Sequence, residues 1–181
     1  MAARAVPAPL AAIPNVLTVV RLLLIPVFVG LLLAADGGHS WPAALLFGAA
    51  GVTDRVDGWL ARRWHVESEF GKIADPVADR LMIDAAVILL WHAGRLPWIA
   101  LAIPARDLAL LGGYRLVMER GYDFSVNLAG KAATWLLYAS LGFLMVTREG
   151  ADWPLWIFWA GFALALLALA GYLLKARVEV K

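Results

Sequence analysis

The sequence predicts an all-α, polytopic integral membrane protein with six transmembrane helices and cytoplasmic termini. Three observations predict it. Hydrophobic residues make up 62% of the 181, and the mean hydropathy is +0.75, a composition that belongs in a bilayer. Apolar runs of helical length recur between short polar segments. Lys and Arg collect on alternate connections, the bias that orients membrane helices.

Residues 1–14 read as an interfacial lead-in, because Pro7, Pro9 and Pro14 prevent a long helix. The first apolar helix is too long, and lacks the small-residue cleavage pattern, for a removed signal peptide. It spans about 15–34, and Pro26 should kink it. Asn15, Thr18 and Arg21 form a polar stripe on its cytoplasmic third. Arg21 lies ~9 Å in from Asn15. This depth favours an inward-facing side chain, with snorkelling as the competing account. The DGGHS loop, with a solvated His39, leads to a second helix over 41–63. An aqueous segment holding His65, Glu67 and Glu69 follows. The third helix covers about 72–91, starting up to a turn earlier, and His92 lies at the interface. The fourth covers 97–119, the fifth 126–147 and the sixth 153–174. Trp41, Trp91, Trp98, Trp153 and Trp156 fall at helix ends, as an aromatic belt requires.

The domain division is a lead-in at 1–14, one membrane domain at 15–175 and a basic tail at 176–181. Arg4, Arg62, Arg63, Lys72, Arg115, Arg120, Lys131, Lys175, Arg177 and Lys181 mark one side, whereas the other has Arg95 and Arg148. The richer side is cytoplasmic, which predicts a multi-pass protein of the cell (inner or plasma) membrane with its polar site facing the cytoplasm. The absence of cysteine excludes disulfide and thiol chemistry. A formal charge of +2 gives no sign of nucleic-acid binding.

One polar stretch interrupts the oil. From Asp54 to Asp79 it has the skeleton D-x-x-D-G-x-x-A-R, eight residues, then G-x-x-x-D-x-x-x-D. Asp54 and Asp57 are spaced i,i+3, and Asp75 and Asp79 i,i+4, so on helices each pair shares a face. The apolar run Pro42–Thr53 has only 12 residues, too few for a hydrocarbon core of ~30 Å. The helix must therefore continue through the first pair. Counted from Pro42, Asp54 lies ~18 Å deep and Asp57 ~22 Å; counted back from Trp91, Asp79 lies ~18 Å and Asp75 ~24 Å deep. Two antiparallel helices bring four carboxylates into one layer. Like charges there raise one another's pKa and are costly in lipid. A hard divalent cation, magnesium or manganese, resolves both difficulties, and phosphate chemistry is its natural companion.

This skeleton resembles the signature of the CDP-alcohol phosphatidyltransferase family. Asp54, Asp57, Gly58, Ala61, Arg62, Gly71, Asp75 and Asp79 fill every fixed position. The resemblance extends from about residue 13 to the C-terminus. It implies a divalent-metal-dependent enzyme of phospholipid synthesis, in which a hydroxyl attacks the lipid-linked phosphorus of CDP-diacylglycerol and CMP leaves. It implies two ions on Asp54, Asp57, Asp75 and Asp79, with Asp79 also the general base. Asp54, Gly58, Ala61, Arg62, Gly71 and Asp75 would receive the nucleotide. It further implies a homodimer among membrane lipid.

The acceptor is an anionic alcohol if Arg21, Arg80, Arg115 and Lys131 serve its phosphate; positive-inside anchoring is the plainer account of these cations. The segments IPARDLALLGGYRL and VNLAGKAATWLLYASL resemble members that make cardiolipin from phosphatidylglycerol. Members that use glycerol-3-phosphate to make phosphatidylglycerophosphate are similar there, but typically carry Glu where Asp107 stands. Two other classes compete. A membrane cation transporter would also hold intramembrane carboxylates, yet these lie in one layer with no acidic path onward. A non-catalytic scaffold gives no reason for the spacing. Arg106 and Asp84, at similar depth, are expected to pair, with Asp107 as the other partner open to Arg106.

Overall fold

The structure is a computed structural model that describes the backbone at residues 13–64, 69–109 and 128–179, with side chains over most of these. Its elements are α1 (Ile13–Leu33), a 3-10 turn at Asp36–Gly38, α2 (Trp41–Trp64), α3 (Glu69–His92), a 3-10 turn at Trp98–Leu101, α4 (described over 102–109), α5 (Leu128–Val146) and α6 (Trp153–Glu179). Among the described residues there is no strand, so the all-α expectation holds.

Helix boundaries follow local chemistry. Ser40 caps α2, its hydroxyl accepting from the Ala43 N–H at 3.2 Å, while Pro42 sits in the first turn where its missing donor costs nothing. Gly94 ends α3 in the left-handed region (φ 74°), and the Arg95 N–H returns to Leu90 O at 2.8 Å. α1 continues through Pro26. The fourth helix does not begin at Pro97 as an α-helix. Pro97 is extended, the chain makes a 3-10 turn, and α4 follows with Pro104 in its first turn. α3 starts at Glu69, the earlier of the two expected starts, and α6 runs past its expected end to Glu179.

α1 packs on α2 and α3, α5 on α2 and α3, and α6 on α5; α2 and α3 also touch. Each helix buries one stripe. On α1 it is Thr18, Arg21, Phe28 and Leu32; on α5 it is Ala133, Leu137, Leu141 and Leu144. On α6 the stripe is Pro154, Phe158, Gly161, Ala165 and Ala168. Its small members allow the backbones to close, and a Cβ on Gly161 would lie 3.1 Å from Leu137 N. The outward stripes are as apolar as the inward ones, for example Val16, Val20, Leu23 and Val27 on α1. α1 has one span long and apolar enough to cross a membrane, Asn15–Leu33.

The end bearing the 34–40, 93–97 and 147–152 connections is tied together by polar contacts. The Ser40 N–H donates to Met145 O (2.8 Å), and His39 Nδ1 donates to Thr147 O (3.2 Å). His39 is exposed, as expected, yet engaged. Trp41, Trp98, Trp153 and Trp156 are exposed around this end.

Candidate active site

The opposite half of the bundle holds the signature. Asp54, Asp57, Gly58, Ala61 and Arg62 lie on α2, and Gly71, Asp75 and Asp79 on α3. Both carboxylate pairs thus occupy helices, as their spacing predicts. Among the signature residues, Asp79 has a described side chain; those of Asp54, Asp57, Gly58, Ala61, Arg62, Gly71 and Asp75 lie outside the described residues. Residues 1–12 of the lead-in, the 65–68 loop, Arg115 and the rest of the fourth helix, and the side chains of the C-terminal tail also lie outside them.

Asp79 is part-buried and accepts a hydrogen bond from the Tyr138 hydroxyl of α5, at 2.9 Å to Oδ1. The Tyr138 ring stacks on Phe47 of α2 with centroids 4.6 Å apart. One turn on, Gly51 leaves the space beside that ring. Sequence reasoning assigned Tyr138 no role. The available signal was a phenol in the middle of an apolar helix, where its hydroxyl needs a partner.

A second polar group begins at the next residue of α3, Arg80. Asp107 of α4 is buried and receives two guanidiniums on the same oxygen: Arg80 Nη1 at 2.6 Å and Arg106 Nη2 at 2.8 Å. Arg106 Nε also donates to that oxygen at 2.8 Å. The expected Arg106–Asp84 pair is therefore not formed. Arg106 bends to its sequence neighbour instead, the alternative partner. Asp107 offers its neighbour a two-point contact, through Nε and Nη2 on one oxygen, and Arg80 reaches that oxygen from α3, so Asp107 is a shared anion. Asp84 lies within coulombic reach of Arg80, Arg106 and Asp107, and its Oδ1 is buried with no hydrogen-bond partner among the described residues. Two arginines and two aspartates balance in formal charge, which lowers the cost of the cluster in an apolar surround.

Arg21 and Thr18 are buried to 2% and 0% exposure on the inner face of α1. Snorkelling to the membrane surface is excluded for Arg21, since its side chain lies among the helices. Arg80 is 39% exposed at its side chain. Lys131 is exposed on the first turn of α5. The structure thus brings Asp79 to Tyr138, and Arg80 and Arg106 to Asp107 with Asp84 near by, and leaves Lys131 at the helix end.

The donor set suits a hard divalent ion. Four carboxylates lie on two touching helices, at spacings that share faces, in a chain without thiols.

Residues 11–167 match the family described as CDP-alcohol phosphatidyltransferase. The chain belongs to that family. It is similar to a CDP-diacylglycerol–glycerol-3-phosphate 3-phosphatidyltransferase of Bacillus subtilis, with 35% identity over 80% of this chain and 86% of the relative. A CMP-forming cardiolipin synthase of Streptomyces coelicolor shares 36% identity over 92% of this chain and 82% of its own. A CDP-diacylglycerol–glycerol-3-phosphate 3-phosphatidyltransferase of Escherichia coli K12 shares 32% over 93% and 96%. The chain is a transferase of phospholipid biosynthesis, and the transporter and scaffold readings fall away.

Proposed function

We propose that this enzyme transfers the phosphatidyl group of CDP-diacylglycerol to phosphatidylglycerol, forming cardiolipin and CMP. The complete signature, with its two carboxylate pairs on touching helices, carries the transfer reaction, and the likeness of residues 103–116 and 126–141 to cardiolipin-forming members carries the choice of acceptor. In the reaction, the acceptor hydroxyl oxygen bonds to the lipid-linked phosphorus, the phosphorus–oxygen bond to CMP breaks, and CMP leaves with the electron pair. Asp79 takes the hydroxyl proton. Gly58 and Ala61 let the nucleotide approach the α2 backbone, and Arg62 meets its phosphate or cytidine side. Asp54, Asp57, Asp75 and Asp79 would hold two magnesium or manganese ions, which when bound supply positive charge to the diphosphate and the departing CMP.

Arg21, Arg80, Arg115 and Lys131 counter the acceptor's phosphate, without which an anion would be repelled from the carboxylates. The inward, buried position of Arg21 supports this for one of them. The second reading is glycerol-3-phosphate as acceptor, favoured by the activities for which the Bacillus and Escherichia relatives are named. Purified protein with CDP-diacylglycerol, offered phosphatidylglycerol, glycerol-3-phosphate or inositol in turn, separates the two when products are identified by mass. Cardiolipin supports the first reading, phosphatidylglycerophosphate the second, and turnover of free inositol defeats both.

The six crossings and the cytoplasmic site belong to the same proposal. α2 and α3 have 24 residues each and α6 has 27, so each reaches ~36 Å or more and exceeds the ~30 Å core. Their polar ends shorten the apolar runs without shortening the helices. Reporters fused at Lys181 and within the 36–40 loop should label opposite sides of the membrane; the same side for both breaks the topology.

A further inference from the structure

We propose that Tyr138 is a positioning residue for Asp79, and that Gly51 is the notch that allows it to be one. The inference rests on Asp79 acting as the base. Three helices meet at this point. Tyr138 comes from α5, Asp79 from α3, and the ring lies on the Phe47–Gly51 face of α2. A Cβ on Gly51 would stand 2.8 Å from Tyr138 Cε1 and 3.1 Å from Cδ1. That approach is closer than a side chain tolerates, so the ring's seat requires glycine. Phe47 holds the other part of the ring by stacking.

The hydroxyl then reaches Asp79 Oδ1 at 2.9 Å. A carboxylate is free to rotate about its terminal bond. A donor on one oxygen fixes that rotation, and so fixes the direction of Oδ2. A base must present its oxygen to the acceptor hydroxyl within hydrogen-bond reach, and a support that locks such a side chain preserves the productive geometry. By register, Asp54 lies three residues beyond Gly51 and seven beyond Phe47, on the same face of α2. The seat of Tyr138 thus continues directly into the first signature carboxylate, and α5 sets the base against both signature helices.

The test uses the purified full-length enzyme with CDP-diacylglycerol and each of the two acceptors. Tyr138→Phe keeps the ring and removes only the donor. Its kcat should fall by about 10²-fold, with KM for both substrates within about twofold and near-native melting. Gly51→Ala, which displaces the ring, should lower kcat in the native background and add little in the Tyr138→Phe background. Wild-type kcat in Tyr138→Phe overturns the proposal, as does a loss that falls on a substrate KM. Equal losses from Gly51→Ala in both backgrounds also overturn it, since the notch would then act on something else. Asp79→Asn run alongside separates the two levels. If it turns over normally, the role of Asp79 itself fails and the positioning role with it. If it is inactive while Tyr138→Phe is normal, only the positioning role fails.

Discussion

At the loop end of the bundle, the buried positions are Phe28 and Leu32 on α1, Phe47 on α2, Val87 and Leu90 on α3, Leu144 and Met145 on α5, and Phe158 on α6. One to three turns along the same helices, the inward positions are Thr18 and Arg21, Gly51, Asp79 and Arg80, and Tyr138. One half is held by side-chain packing, and the other by hydrogen bonds and shared charge. In a bilayer the outer faces of both halves are equally oily, so hydropathy alone does not separate them. What separates them is the chemistry of the inward stripe. Lipid offers no water to satisfy a buried carboxylate, so the polar half draws on partners from other helices, as Asp79 does on Tyr138 and Asp107 on Arg80. This makes the polar half dependent on correct helix register in a way the apolar half is not.

The comparison breaks most sharply at Asp79. Asp79→Asn preserves size, and turnover should fall by ~10²–10⁴-fold, with CDP-diacylglycerol binding retained. Steady-state turnover and equilibrium binding on the same preparation check it. Phe158→Ala should do the reverse. It opens a cavity where the ring is fully buried against Trp159 and Phe162. The expected cost is ~3 kcal/mol of stability, read by thermal melting in detergent, with kcat per folded molecule unchanged. A loss of kcat without a loss of stability would show that the apolar half also shapes the site.

Asp107→Asn tests the shared anion. It leaves Arg80 and Arg106 facing each other without their common carboxylate. Part exposure of Arg80 softens the penalty, and ~2 kcal/mol is expected. Melting should show this loss, and restoring stability by Arg106→Met in the same chain would confirm the charge origin. Arg95→Met is the smallest of the four. Arg95 Nη2 donates to Leu144 O (3.0 Å) and Thr147 O (2.9 Å), closing the C-terminus of α5. Its loss should cost ~1 kcal/mol, seen as a small melting shift without any change in kinetics.

The sequence by itself determined the all-α class, the helix-bound carboxylate pairs and the family, because each is a local property. Apolar runs of a given length must be helical in lipid, and eight signature positions at set spacing specify their own faces. In the structure, Gly94, Ser40 and Pro42 set helix ends through local backbone chemistry. Tertiary structure decided the partners. Arg106 could have met Asp84 or Asp107, and in the folded bundle it meets Asp107, which Arg80 also reaches from 27 residues earlier. Tyr138 and Asp79 are separated by 59 residues, and no periodicity connects them. Their contact exists because Gly51 lacks a side chain where α5 crosses α2. Arg95 looked like an isolated charge on the sparsely basic face and proved to be the cap of a helix about fifty residues away. Charge in an apolar medium must find a partner, but which partner it finds depends on helix packing, and packing is not written in any single stretch of the chain.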